Sequence, residues 1–249
     1  MDIKSLPLVR QSVIMAQLAR AAYSDDSSGI FSQYGFDRDY KFMDNDGAQG
    51  HLAKNRKQII ITFRGTEPTQ VNDLAADADA WPKTNGVGWV HTGFRREARK
   101  LLDTVKEYVA ANPGSEIWIA GHSLGAAMSL YVAQELEFAG HDQITLFTFG
   151  CPRLGNETYI NSIKLEHHRF VNCNDAVTLV PPYFMGYRHH GQLHHITFDG
   201  TIKDMSLLNE VIDRVKSKVR DMKNGVKLSG VNDHSMENYI SKLSAISEI

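Results

Sequence analysis

The sequence predicts an α/β layered fold, a mostly parallel central sheet flanked by helices. Three observations predict it. Strand-like runs alternate with helix-periodic segments through the middle of the chain. Ile59-Ile60-Ile61-Thr62-Phe63 is an almost continuous apolar run, as a strand covered on both faces requires. The stretch Trp118-Ile119-Ala120-Gly121-His122-Ser123-Leu124-Gly125-Ala126-Ala127 reads as a short strand, a Gly-x-Ser-x-Gly turn and a helix opening on small residues.

Composition bounds the rest. A chain of 249 residues in an α/β class is most economically one domain, here residues 1–249. Its 42% hydrophobic share supplies a sizeable core. A formal net charge of −2 gives no ground for a nucleic-acid partner or a strongly anionic membrane partner. The sequence shows no signal peptide and no apolar stretch long enough for a transmembrane segment. Cellular address and oligomeric state have no signature here.

From the amino terminus, Leu8 to Tyr23 carries apolar residues at helical spacing. Three strands follow between Tyr34 and Arg64, with Asn45-Asp46-Gly47 as the hairpin turn joining the first two. Arg64-Gly65-Thr66 ends the third. Between Glu67 and Val90 the strand signal is weak, while Val71, Leu74, Ala75 and Ala78 fall on one helical face. A long helix over Gly93 to Ala111 presents Phe94, Ala98, Leu101, Leu102, Val105 and Tyr108 as its apolar stripe. Asn112-Pro113-Gly114 stops it.

After Ser123 a helix runs to a stop at Gly140. Ile144 to Phe149 is the next strand, Asn156 to His167 a helix, and Arg169 to Asn172 a strand leading into Asn174-Asp175. Tyr187-Arg188-His189-His190 and Leu193 to Phe198 form a hairpin around Gly191-Gln192. Closing helices are expected over Met205–Met222 and His234–Ile246, with His234 opening the last.

The serine turn carries the chemistry. A serine hydroxyl becomes a useful nucleophile when it is exposed on a sharp turn, set beside a base and kept near donors for an oxyanion. Gly121 and Gly125 are required where the chain passes close to itself around Ser123. The base needs a carboxylate to hold its tautomer. Among downstream carboxylates Asp175 is best placed, just past a strand. His234 follows a loop and is the first choice for the base, with His189, His190, His194 and His195 as rivals.

Six motifs stand in order: Arg64-Gly65-Thr66, His91-x-Gly93-Phe94, Gly121-His122-Ser123-Leu124-Gly125, Phe149-Gly150-x-Pro152-Arg153-x-Gly155-Asn156, Asn172-x-Asn174-Asp175-x-Val177 and Asp233-His234-x-x-Glu237-x-Tyr239. This series resembles the fungal-type class 3 triacylglycerol lipases, from about Tyr34 to the carboxyl terminus. The resemblance implies an α/β-hydrolase fold and a carboxylic ester hydrolase. It implies Ser123 as nucleophile, Asp175 as orienting acid and His234 as base, with Thr66 and Leu124 in the oxyanion hole. It also implies a short helical lid at about 67–81 that meets a lipid interface, and lipid or small ester substrates. On that lid the apolar face, chiefly Val71 and Leu74, is flanked by aspartates, which predicts weak interfacial activation. Substrate contacts are expected from Val71, Leu74, Val177 and Phe184. No cofactor and no metal are implied. A phospholipase A1, a galactolipase or an acyltransferase would use the same machinery, and a catalytically silent lipid-binding module is the alternative of another class.

The remaining features read as structural. His91 and Arg153 are expected to make structural hydrogen bonds. Strand alternation sends His189 and His190 to opposite faces, so His189, His190, His194 and His195 need not converge on a metal. Cys151 and Cys173 are too few for a disulfide framework and are expected as free buried thiols.

Overall fold

A computed structural model describes residues 2–66, 83–84, 87–203 and 229–247. After a short 3-10 turn come helices α1 (Leu8–Ala21) and α2 (Ser28–Gln33), then strands β1 (Arg38–Asn45), β2 (Ala48–Lys54) and β3 (Gln58–Phe63). The β1–β2 turn pairs Asn45 with Ala48, and Asp46 and Gly47 both take positive φ (49° and 79°). That is the two-residue turn whose twist suits a hairpin.

Two short strands, β4 (Lys83–Thr84) and β5 (Trp89–Val90), precede helix α3 (Thr92–Ala110). Strand β6 (Glu116–His122) runs straight into helix α4 (Leu124–Phe138), with Ser123 between them. Strand β7 (Ile144–Phe149), strand β8 (Gly155–Asn156), helix α5 (Glu157–Ser162) and strand β9 (Glu166–Asn172) follow. Then come β10 (Tyr187–Arg188), β11 (Gln192–Ile196) and β12 (Ile202–Lys203), and finally helices α6 (Ser229–Asn232) and α7 (Met236–Ser247).

Eight strands form the main sheet in the order β1-β2-β3-β6-β7-β9-β11-β12. Its centre, β3 to β11, is parallel, and antiparallel strands finish both edges. The α/β layers predicted from the sequence are therefore present. Period-two alternation divides the strand side chains between two cores. Ile59, Ile61, Ile117, Ile119 and Leu146 pack against α3 and α4. Ile60, Trp118, Ala120 and Phe147 pack against α1 and α7. Fully burying one such side chain contributes about 1.5–3 kcal/mol. With both faces covered, the carboxyl ends of the parallel strands are where polar chemistry can reach solvent. Arg64, Ser123, Gly150 and Cys173 each follow one of those ends.

Three expectations need correction. The helix expected over Asn156–His167 stops at Ser162, because Ile163 turns extended (ψ 130°) and is buried in the core. Glu166 then pairs with Thr145, so His167 belongs to a strand. The hairpin expected at Tyr187–Phe198 does not form. Tyr187 and Arg188 join a separate antiparallel sheet with Gly155 and Asn156, whereas β11 runs parallel beside β9. Gly191, at φ +88°, redirects the chain between the two, and a Cβ there would lie 2.5 Å from the His167 ring. His234 precedes α7, in the turn between α6 and α7. The lid, with Val71 and Leu74, and the helix Met205–Met222 lie outside the described residues. Among the described residues no helix is long and apolar enough to cross a membrane.

Candidate active site

Ser123 sits on the β6–α4 turn with φ 61° and ψ −128°, a conformation L-residues rarely adopt, costing about 1–3 kcal/mol. The turn is tight enough that a Cβ on Gly121 would strike the Gly125 carbonyl oxygen, and one on Gly125 the Phe63 carbonyl oxygen. Ser123 N–H donates to the Phe149 carbonyl at 3.1 Å, which ties the elbow to the end of β7. The side chain is buried, and its Oγ has no hydrogen-bond partner among the described residues.

Asp175 and His234 are brought together from 59 positions apart. His234 Nδ1 lies 2.9 Å from each carboxylate oxygen, and both residues are buried. Since a carboxylate accepts, Nδ1 carries the proton and Nε2 is left as the basic lone pair. Nε2 too is buried without a hydrogen-bond partner among the described residues. The Ser123–His234 hydrogen bond is thus not formed in this structure, although both atoms are left available for one.

The carboxylate is well held. Val177 N–H donates to Oδ1 at 2.9 Å and the Tyr239 hydroxyl to Oδ2 at 2.7 Å. Burial alone would raise the Asp175 pKa, but the His234 charge and hydrogen bond, the Tyr239 hydroxyl and His122 outweigh it and hold the carboxyl below its ordinary value. The turn carrying His234 is pinned by Asp233, whose carboxylate accepts from Asn174 N–H at 3.1 Å. Its backbone carbonyl accepts from Asn172 Nδ2 at 2.8 Å. Gly150 lets the pair approach β7. A Cβ there would lie 2.6 Å from Asp175 Oδ2 and 2.8 Å from the His234 ring.

Thr66, half-buried, and Leu124 line one cleft of about 370 Å³ with Tyr23, Arg64, Glu97 and Met128. Leu124 opens α4, where first-turn N–H groups and the positive helix end favour developing negative charge. The arrangement suits acyl transfer: a hydroxyl on a strained turn, an imidazole oriented by a carboxylate, and a helix amino terminus immediately after the hydroxyl.

Other candidates fall elsewhere. Val177 is spent on the core and, through its N–H, on Asp175. Phe184, after the cis Val180–Pro181 bond, is 87% exposed. His91 Nδ1 caps α3 by accepting from Phe94 N–H at 3.3 Å, and Arg153 donates to the Pro181 carbonyl at 2.9 Å. His189 Nε2 donates to the Thr178 carbonyl, His190 pairs with His167, and His194 pairs with His168. Among the described residues no group of three or more His, Cys, Asp or Glu is arranged to hold a metal. Cys151 and Cys173 are buried, and neither forms a disulfide among the described residues.

Sequence reasoning missed the neighbours of His234. His122 Nε2 lies 2.6 Å from the His234 carbonyl oxygen and the two rings are 4.3 Å apart, while Tyr23 Oη lies 2.7 Å from His122 Nδ1. His122 occupies the variable position of the Gly-x-Ser-x-Gly turn, a weak signal. Tyr23 gives none.

The profile of the family described as Lipase (class 3) matches residues 60–185. The secreted mono- and diacylglycerol lipase A of Penicillium cyclopium is 35% identical over 171 residues, covering 64% of this chain and 55% of that protein. A lipase of Rhizopus niveus is 29% identical over 157 residues, covering 57% of this chain and 40% of that protein. The chain therefore spans about half the length of the curated relatives it matches. A fungal lipase–inhibitor complex superposes with a TM-score of 0.68 at 22% identity, over 91% of this chain and 92% of that one. That likeness concerns the fold. The profile match covers half of the sequence and spans β3 through the segment after Asp175, and on it the chain belongs to the class 3 lipase family.

Proposed function

We propose that this chain is a carboxylic ester hydrolase that cleaves acylglycerol-type lipid esters through an acyl-serine intermediate. The observation that supports the reading is the buried Asp175–His234 pair at the same sheet edge as Ser123, with His234 Nε2 and the Ser123 hydroxyl both lacking a hydrogen-bond partner among the described residues. Ser123 Oγ attacks the ester carbonyl carbon while its proton passes to His234 Nε2. Asp175 stabilises the imidazolium and keeps its tautomer without taking the proton. The backbone N–H groups of Leu124 and Thr66 receive the oxyanion, and one such donor is worth about 3–4 kcal/mol in the transition state. As the tetrahedral intermediate collapses, the bond to the alcohol oxygen breaks and Nε2 returns its proton to the leaving alkoxide. Water then repeats the sequence on the acyl-serine and releases the carboxylic acid. No step calls for a cofactor.

The printed names of the relatives, lipases and mono- and diacylglycerol lipases, support acylglycerols as the substrate class. The test is hydrolysis of a p-nitrophenyl ester series and of emulsified acylglycerols, with products resolved by headgroup. Turnover should fall on the order of 10⁴-fold or more in Ser123→Ala. Retention of turnover in that variant would overturn the reading, and fatty acid released only from phospholipid would replace its substrate class.

A further inference from the structure

We propose that Tyr23 and His122 form a strap that positions His234, holding the base by its own backbone carbonyl. The hydrogen-bond chemistry fixes every proton in it. The His234 carbonyl oxygen can only accept, so His122 Nε2 is the donor across the 2.6 Å contact. In a neutral ring Nδ1 must then accept, and Tyr23 Oη donates to it at 2.7 Å. Burial foremost, together with the charge of His234, pushes the His122 pKa down to about 3, so the ring stays neutral at working pH. The rings of His122 and His234 lie 4.3 Å apart and 32° from parallel, so the strap limits both the height and the tilt of the base.

The strap has a fixed root. Tyr23 follows α1, and its ring lies 5.9 Å from the guanidinium groups of both Arg20 and Arg64. A Cβ on Gly65 would strike its hydroxyl, so this tyrosine reaches the turn that carries Thr66. One hydroxyl thus stands beside the Thr66 turn and fixes the ring that holds the base. His122 itself is joined by one peptide bond to Ser123. Setting an imidazole to within a fraction of an ångström of a reactive geometry is worth orders of magnitude in rate.

Neither residue touches the reacting atoms in this account, so both are positioning residues. Their kinetic effect rests on the proposed hydrolase reading, whereas their hold on His234 does not. The experiment therefore has two arms. In the first, His122→Phe keeps a ring and removes the donor, and kcat should fall about 30-fold with KM unchanged within about twofold. Tyr23→Phe should lower kcat about fivefold. The double variant should match His122→Phe within about twofold, because Tyr23 acts through His122. His122→Gln, whose amide can reach the same carbonyl, should recover about fivefold over His122→Phe. In the second arm, proton NMR follows the downfield Nδ1–H resonance of His234, which should shift or broaden in His122→Phe and Tyr23→Phe whether or not any ester is turned over. Multiplicative effects of the two substitutions, loss confined to KM, or an unmoved resonance in Tyr23→Phe would each overturn the strap. If His122→Phe fails to fold, Tyr23→Phe alone decides through the resonance. A silent kinetic arm with a shifted resonance would overturn the hydrolase reading and leave the strap standing.

Discussion

Tyr239 Oη donates to Asp175 Oδ2 at 2.7 Å while accepting from the Asn172 N–H at 2.9 Å. One phenol thereby joins the last helix, the end of β9 and the carboxylate paired with His234. Replacing it by phenylalanine removes a charge-assisted donor and leaves the buried Asn172 N–H without an acceptor. Each loss costs about 1–3 kcal/mol. Tyr239→Phe should therefore unfold at lower urea concentration and show kcat reduced about tenfold, with the Asp175 carboxyl titrating nearer its ordinary value. Carboxyl-edited NMR titration beside a urea melt checks both. Wild-type values in both measurements would mean that the Tyr239 hydroxyl adds little to holding the acid.

How far this site was legible in the sequence depends on the range of the signal. The elbow was legible because strand, Gly-x-Ser-x-Gly turn and small-residue helix are contiguous, and the collisions awaiting a Cβ at Gly121 and Gly125 are local. The order Ser123, Asp175, His234 was legible from motif series, and the structure does bring Asp175 to His234. The β11 strand was visible as a strand, but its partner was not. Alternation fixes which residues share a face and says nothing of which neighbour supplies the ladder, so parallel addition to β9 looked the same as a hairpin. Tyr23 was invisible because the histidine it contacts is 99 positions away. The N–H that Val177 donates to Asp175 was not legible, because a backbone hydrogen bond leaves no mark on the residue type.

Gly150 offers a direct probe of crowding behind the base. It sits at φ +60°, and an added methyl would lie 2.6 Å from Asp175 Oδ2 and 2.8 Å from the His234 ring. Both neighbours are themselves fixed, so Gly150→Ala must displace the pair or the end of β7. A drop in kcat of about 100-fold is expected from a shift of an ångström or less. The left-handed φ should add about 1 kcal/mol of destabilisation. Steady-state kinetics and a chemical melt are sufficient. Unchanged kcat would show that the acid–imidazole pair tolerates displacement, contrary to the geometry.

Ser123 should be costly to the fold that holds it. Its hydroxyl is buried without a partner among the described residues, and such a group carries a desolvation penalty of about 1–3 kcal/mol. Ser123→Ala keeps the Cβ and the strained φ of 61° and removes only that hydroxyl. The variant should accordingly be more stable by about 1 kcal/mol, seen as a higher urea midpoint at unchanged slope, while turnover vanishes. A variant less stable than wild type would show that the hydroxyl is satisfied in solution.

Acid should destabilise the protein well before its carboxylates titrate. His122 has its pKa pushed down to about 3 and His190 to about 4, in each case chiefly by burial, and His167 is lowered well below the ordinary histidine value for the same reason. In the unfolded chain these rings bind protons below about pH 6.5. Between that pH and the folded values the unfolded state holds more protons, so stability falls as pH falls. Each ring contributes about 1.4 kcal/mol per pH unit in that window. Two or more acting together give a slope of at least about 2.7 kcal/mol per unit near pH 5. Asp175 has its folded pKa below the ordinary value, so its stabilisation is complete above about pH 4 and is lost only below that. Urea midpoints at pH 7, 6 and 5 test the order of events: a decline already under way between pH 6 and 5 belongs to the buried histidines. A flat profile there, with collapse only below pH 4, would mean that these rings accept protons without unfolding, and the neutral His122 on which the strap depends would fall with it.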